Sequence, residues 1–196
     1  YTVKNFIKLG GKVVAVAEWE PKNGTYVIYN EAGFCFEELK DYRTNNGNLL
    51  GFPGSQAISL DEFWALDVDV MVPAALENAI DAKQAEVIKA KLVVEAANGP
   101  VTPAGDKVLN QRGITVTPDI LSNAGGVTVS YFEWVQNLYG YAWAEAEVKQ
   151  REEEAMVNAF EAIWKIKKQY KCTMREAAYL VSVKKVAEVM KLRGWY

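Results

Sequence analysis

Short apolar runs separated by longer stretches of helical periodicity recur between residues 12 and 117. Runs of this length that are rich in Val, Ile and Leu are typical of strands buried in a parallel sheet. The predicted core strands are 12–17, 68–73, 92–95 and 114–117. Residues 21–30 contain turn residues and the stretch Tyr26–Tyr29, which predicts a short peripheral strand or hairpin.

Helix signals occupy the stretches around and between these runs. Helical periodicity predicts helices at 2–9, which ends at Gly10-Gly11, and at 34–43. Capping patterns predict helices after Ser59, after Asp81 and at Thr102-Pro103. Strand and helix therefore alternate, with connections too long for hairpins between the core strands. We predict an α/β, Rossmann-like fold with a mostly parallel sheet and helices on both faces.

The alternation stops near residue 125, and three helices are predicted at 126–139, 145–170 and 173–192. We therefore divide the chain into a dinucleotide-binding Rossmann domain, residues 1–124, and C-terminal helices, residues 125–196, that pack on it. Six aromatic residues fall near the first of these helices: Tyr131, Phe132, Trp134, Tyr139, Tyr141 and Trp143. They predict a large buried surface, mainly inside the domain, with another domain or subunit as the alternative.

Composition excludes several classes of function. The net charge is -3 with dispersed basic residues, which is not typical of nucleic-acid binding. Histidine is absent, so no Ser-His-Asp triad and no His-ligated zinc site exists in the chain. Cys35 and Cys172 lie far apart, which favours buried, reduced thiols and a cytoplasmic location. Neither a membrane-spanning run nor a signal peptide is evident.

Polar and small residues at the ends of the predicted strands are the candidate binding residues. Glu18 follows strand 12–17, the position of the acid that accepts hydrogen bonds from the adenosine ribose in a dinucleotide-binding unit. A solvated turn residue is the equal alternative. The Gly-rich turn that opens such a unit, together with its first strand, is expected before Tyr1. Ala74-Ala75 follow strand 68–73, where small residues permit either close approach of a cofactor or close packing.

Asn98 and Asn123 each follow a buried strand and are flanked by small residues. A carboxamide has two donors and an acceptor, which suits a nicotinamide amide or its ribose. Capping of the loops through Asx turns is the structural alternative. Val127 and Ser130 share one face of the following helix, where an apolar side chain and a hydroxyl suit the pocket of a small polar substrate. For Ser130, a hydrogen bond to a helical carbonyl is the structural alternative.

The sequence resembles the coenzyme-binding domain of hexameric glutamate dehydrogenases, in the Glu/Leu/Phe/Val dehydrogenase family. The resemblance is carried by residues 93–100 (Val-Val-Glu-Ala-Ala-Asn-Gly-Pro), 118–134 (Pro-Asp-Ile-Leu-Ser-Asn-Ala-Gly-Gly-Val-Thr-Val-Ser-Tyr-Phe-Glu-Trp) and 174–179 (Met-Arg-Glu-Ala-Ala-Tyr). It extends to 12–18, 73–78 and 190–195. The resemblance implies oxidative deamination of L-glutamate to 2-oxoglutarate and ammonia, with hydride transfer to NAD.

The resemblance also implies roles for individual residues. Glu18 would lie at the adenosine ribose, Ala74 and Ala75 beside the cofactor, and Asn98 and Asn123 at the nicotinamide end. Val127 and Ser130 would line the substrate pocket, where the Ser130 hydroxyl would donate to the side-chain carboxylate of glutamate. Glu18 disfavours the 2′-phosphate of NADP, so NAD is the expected cofactor and NADP the less favoured one.

The same resemblance implies that part of the machinery lies outside these residues. The catalytic Lys and Asp of the family belong to a substrate-binding domain that precedes the cofactor domain, and we assign no catalytic residue to this chain. The expected assembly is a homohexamer, without nucleic-acid or membrane partners and without a metal. The alternative function is a non-catalytic α/β module that binds a nucleotide or a protein.

Overall fold

The structure is a computed structural model that describes residues 1–195. The chain divides into two compact units, one from Tyr1 to Asp67 and the other from Val68 onward. The first unit contains α1 (Thr2–Lys8), β1 (Ala15–Glu20), β2 (Gly24–Tyr29), α2 (Phe36–Asn46), β3 (Gln56–Ile58) and α3 (Leu60–Trp64). The predicted division at residue 124 lies inside the second unit and stays a prediction.

The first unit is built on an antiparallel sheet with the strand order β1-β2-β3. The prediction that residues 12–17 form a parallel strand is wrong: the strand is displaced to 15–20 and pairs antiparallel with β2. The reason is the short turn between Glu20 and Gly24. Gly24 has a φ of 69°, which returns the chain so that Tyr26 lies opposite Glu18. Ile28, Phe34 and Phe52 are among the residues buried in the core of this unit.

The second unit contains the parallel sheet that the sequence predicts. Its elements are β4 (Val70–Met71), α4 (Ala82–Val87), β5 (Leu92–Val94), α5 (Pro103–Gln111), β6 (Thr115–Thr117), α6 (Asp119–Ser122), α7 (Ala124–Tyr139), α8 (Glu145–Tyr170) and α9 (Met174–Leu192). The strand order is β4-β5-β6, and helices connect consecutive strands. The α/β class with a parallel sheet is therefore confirmed.

The predicted caps begin helices where the sequence indicates. The Ser59 hydroxyl accepts a hydrogen bond from the Glu62 N–H, and the Thr173 hydroxyl accepts one from Glu176. In both, the glutamate side chain accepts in turn from the backbone N–H of the capping residue. Thr102 caps α5 through the Gly105 N–H. Each cap needs only residues three positions apart, which explains why local sequence predicts it.

The prediction that the aromatic residues near α7 pack mainly inside the domain is not met by four of them. Helix α7 has no buried residue, and Tyr131, Trp134, Tyr139 and Tyr141 are all more than half exposed in the described chain. Packing inside the domain is therefore wrong for these four side chains, and the alternative of another domain or subunit stays a prediction. None of the helices in residues 1–195 has the length and apolar character needed to cross a bilayer.

Candidate functional site

Two segments that follow neighbouring parallel strands meet at the carboxyl edge of the second unit's sheet. We call them the asparagine segments: residues 95–99 after β5, and residues 118–123 after β6. The Asn123 Nδ2 donates to Asn98 Oδ1 at 2.7 Å and to the Ala97 carbonyl at 3.2 Å. The two amides therefore bond to one another across the segments, rather than each closing a turn in its own segment.

The asparagine segments line an open cleft of about 640 Å³. Its walls are Ala75, Leu76, Glu77, Ala96, Ala97, Asn98, Asn123 and Val127. The Ala96 and Ala97 N–H groups both donate to the Pro73 carbonyl at 3.0 Å, which draws the segment after β4 to the same place. Small side chains leave the backbone accessible, as a flat ring or a pyrophosphate requires. The edge at the carboxyl ends of parallel strands is where open α/β sheets bind ligands.

The structure brings four of the seven predicted site residues to this cleft: Ala75, Asn98, Asn123 and Val127. Ala74 is exposed beside Ala75 but is not among the lining residues, so close packing of this pair in a core is wrong. Val127 is 70% exposed on the first turn of α7. Ser130 lies one turn further along α7 and is also exposed, outside the lining of the cleft.

Glu18 lies in the first unit, inside β1 rather than at its end. Its carboxylate accepts a hydrogen bond from the Tyr26 hydroxyl at 2.9 Å and pairs with Arg43 Nη2 at 3.2 Å. Burial raises the pKa of the Tyr26 hydroxyl, and the carboxylate of Glu18 adds to that shift, whereas the Leu49 N–H that donates to the hydroxyl opposes it. Glu18 is thus a partly buried, paired acid, and a freely solvated turn residue is wrong.

A charged cluster that joins Glu95 and Asp119 of the asparagine segments to Arg175 was not predicted from the sequence. The Glu95 side chain is fully buried, and its Oε1 accepts from Arg175 Nη2 at 2.6 Å. Arg175 also faces Asp106 Oδ1 at 3.3 Å and Asp119 Oδ1 at 3.6 Å. Burial raises the pKa of the Glu95 carboxyl, which Arg175 and the Asp119 N–H oppose. Burial alone lowers the pKa of Arg175, but its acidic partners, Glu95 first, shift it upward.

Sequence reasoning missed this cluster because its members lie up to 80 residues apart. A signal was present: Glu95 is an acid at the end of a strand that is otherwise apolar, and a buried acid requires a partner. Periodicity, however, does not identify which cationic residue is the partner of Glu95.

The cysteines also differ from the expectation of buried thiols: both are free, but Cys35 is exposed and Cys172 is half-buried. Among the described residues, no group of three or more His, Cys, Asp or Glu side chains is arranged to hold a metal ion.

A parallel sheet with helices between its strands and a cleft at its carboxyl edge defines an α/β protein with a cleft where sheets of this class bind ligands. The chain belongs to the Glutamate/Leucine/Phenylalanine/Valine dehydrogenase family, whose model matches residues 1–194. It is 67% identical over 196 residues to the NAD-specific glutamate dehydrogenase of Clostridioides difficile, covering 100% of this chain and 47% of that protein.

Solved structures give the same result for the fold. A crystal structure of glutamate dehydrogenase from Peptoniphilus asaccharolyticus is 49% identical, with a TM-score of 0.83, over 100% of this chain and 44% of that one. The Leu-bound, hetero-hexameric glutamate dehydrogenase from Thermus thermophilus is 30% identical, with a TM-score of 0.85, over 99% and 44%. The chain therefore spans less than half the length of the relatives it matches.

Proposed function

We propose that this chain is the coenzyme-binding part of an NAD-dependent glutamate dehydrogenase, which deaminates L-glutamate oxidatively to 2-oxoglutarate and ammonia. The observation that carries the proposal is the hydrogen-bonded pair Asn98–Asn123, which lines a cleft on the carboxyl edge of a parallel sheet. The names of the relatives, NAD-specific glutamate dehydrogenases, support the choice of substrate and cofactor.

The lining residues fit a nicotinamide cofactor. Asn123 Nδ2 donates to two acceptors, whereas Asn98 Nδ2 donates to no other group among the described residues, so Asn98 retains donors for a nicotinamide carboxamide or ribose. Ala75 and Ala97 let a ring approach the backbone, and Val127 provides an apolar surface beside it. When bound, NAD supplies the hydride acceptor, and the protein supplies orientation and exclusion of water.

Ser130 is assigned to the substrate side of this site. On α7 it lies one turn beyond Val127, on the same helical face, and both side chains are exposed. Its hydroxyl would donate to the side-chain carboxylate of glutamate. Leucine, phenylalanine and valine lack that carboxylate, so this hydrogen bond favours glutamate over them. Glu18 is assigned to the adenosine ribose and Ala74 to the vicinity of the cofactor.

Chemistry on the substrate needs acid–base groups that we do not assign to this chain. Relatives about twice as long support a second, substrate-binding domain that carries the catalytic Lys and Asp. We propose that this domain closes over the cleft and excludes water from the reacting atoms. A hexameric assembly is part of the proposal, supported by the hetero-hexameric glutamate dehydrogenase of Thermus thermophilus. A cytoplasmic location is also part of it, supported by the two free thiols.

The test uses the complete polypeptide, in which this chain is joined to its substrate-binding domain. We expect glutamate-dependent reduction of NAD, and we expect Ser130→Ala to lower the glutamate-to-leucine ratio of kcat/KM by roughly ten- to a hundredfold, the value of a hydrogen bond to a charged group. Ser182→Ala is the matched control, because Ser182 is also a helical serine and donates only to the Ala178 carbonyl.

Two outcomes would contradict the proposal at different levels. If the complete protein binds NADH but reduces no NAD with any amino acid, the alternative of a non-catalytic nucleotide-binding module is correct. If it is active and Ser130→Ala leaves the substrate ratio as it is in the Ser182→Ala control, Ser130 does not contact the substrate.

A further inference from the structure

The carboxylates of Glu95 and Asp119, two members of the charged cluster, hydrogen-bond the two asparagine segments to each other. Glu95 belongs to the first segment and Asp119 to the second, and the Asp119 N–H donates to Glu95 Oε2 at 2.7 Å. In the other direction, the Gly99 N–H donates to Asp119 Oδ2 at 2.8 Å. Each segment therefore supplies an acid that accepts a backbone hydrogen bond from the other.

These two bonds bracket the asparagines. Gly99 follows Asn98 directly, and it has a φ of 51°, so the chain turns at the residue that Asp119 holds. Asp119 begins α6, and Asn123 is the residue that ends that helix. A displacement of Asp119 would therefore move both partners of the Asn123–Asn98 hydrogen bond.

Arg175 forms ion pairs with both of these acids. It lies in the first turn of α9, and its guanidinium contacts Glu95 through Nη2 and faces Asp119 through Nη1. A buried ion pair adds little to stability compared with apolar packing, because removing both charges from water is unfavourable. Its hydrogen bonds are nevertheless short and directional, and a planar guanidinium fixes the relative positions of two carboxylates. Such a cluster suits positioning better than stabilisation.

We propose that Glu95, Asp119 and Arg175 form a positioning network that fixes the two asparagine segments and, through them, the nicotinamide end of the cofactor. The inference rests on the proposed function, because it assigns the cofactor to the cleft. None of the three residues contacts the cofactor in this scheme. They act through Gly99, Asn98 and Asn123.

Asp119 and Asp106 provide a matched pair for the test. Both carboxylates face Arg175, at 3.6 and 3.3 Å, and both side chains are 19% exposed. Asp106 lies on α5, and its carboxylate accepts its other hydrogen bond from Asn110 Nδ2, not from either asparagine segment. Asp119 alone accepts the Gly99 N–H. In the complete enzyme, we compare Asp119→Ala with Asp106→Ala, and add Arg175→Lys in case Asp119→Ala does not fold.

We expect Asp119→Ala to raise the KM for NAD at least roughly tenfold, about 1.4 kcal/mol, and Asp106→Ala to change it less than roughly twofold. Hydrogen exchange measured by mass spectrometry is the readout that does not need activity. Peptides that contain Gly99 should exchange faster in Asp119→Ala and in Arg175→Lys, and at the wild-type rate in Asp106→Ala. If the three residues only stabilised the fold, the hydrogen-exchange rate and the KM for NAD would change in every variant in proportion to its loss of unfolding free energy.

The inference is overturned if Asp119→Ala and Asp106→Ala raise the KM for NAD equally, or if exchange at Gly99 is unchanged in both Asp119→Ala and Arg175→Lys. Failure of the proposed function is distinguishable from this result. In that case the wild-type enzyme itself does not reduce NAD with glutamate, whereas exchange at Gly99 still reports whether the network holds the segment.

Discussion

Replacing Asn123 with Asp tests whether the amide pair in the cleft orients the cofactor. The substitution preserves the shape of the side chain but exchanges the Nδ2 donor for an oxygen. That oxygen would face two acceptors, Asn98 Oδ1 at 2.7 Å and the Ala97 carbonyl at 3.2 Å. With the Asn98 amide in its present orientation, two attractive contacts therefore become repulsive ones at the wall of the cleft.

The expected magnitude follows from the two hydrogen bonds that are lost. Each contributes about 1 kcal/mol net, so the amide arrangement loses about 2 kcal/mol before any repulsion is counted. If the cofactor requires both amides in their present orientation, binding has to supply that free energy. NADH binding should then weaken by roughly 30-fold, since 1.4 kcal/mol corresponds to a factor of ten.

The assay is titration of NADH fluorescence in the complete protein, alongside unfolding in urea. Asn46→Asp is the control, because Asn46 is exposed at the end of α2 and its Nδ2 also donates to a backbone carbonyl, that of Tyr42. The control should bind NADH like the wild type. The reasoning would be refuted by an Asn123→Asp protein that loses about 2 kcal/mol of unfolding free energy yet binds NADH within threefold of the wild type.

Two further predictions concern packing and cofactor choice. Gly105→Ala should lower the unfolding free energy by about 1–3 kcal/mol, because the added Cβ would lie 2.6 Å from the Ile80 carbonyl oxygen. Gly126→Ala should raise the unfolding free energy by up to about 1 kcal/mol, because the added Cβ would have no atom within 4 Å and alanine favours the helix. Urea unfolding checks both, and equal effects would exclude the contact as the cause. Glu18→Ser should raise the NADP-to-NAD ratio of kcat/KM at least roughly tenfold, because it removes a like charge and releases Arg43 to meet a 2′-phosphate. Steady-state rates with both cofactors measure the ratio, and an unchanged value would mean that Glu18 does not select the cofactor.

The aromatic residues of α7 show where a composition argument fails. A cluster such as Tyr131 and Trp134 indicates that apolar surface is buried somewhere, and the sequence contains no information about which surface covers it. In the structure both side chains are more than half exposed. Hydrophobicity predicts that burial is favourable, but whether a helix turns a given face toward its own domain depends on the packing of all its neighbours.

Local sequence by itself determined the kind and order of most elements. The helices after Ser59, Thr102 and Thr173 begin where predicted, because a cap satisfies backbone N–H groups within its own first turn. The apolar runs at β5 and β6 likewise predicted strands, and their parallel pairing brings Asn98 and Asn123 together, because the carboxyl ends of neighbouring parallel strands share one edge.

Only the tertiary structure decided which distant residues became partners. The run at 12–17 satisfies the pattern of a buried strand, yet β1 pairs antiparallel with β2, since pairing depends on the turn and on the available neighbours. The bond between Glu95 and Arg175 joins two elements that no periodicity relates. Secondary structure follows from interactions over a few residues, whereas the partner of a buried charge depends on which distant residues the folded unit brings beside it.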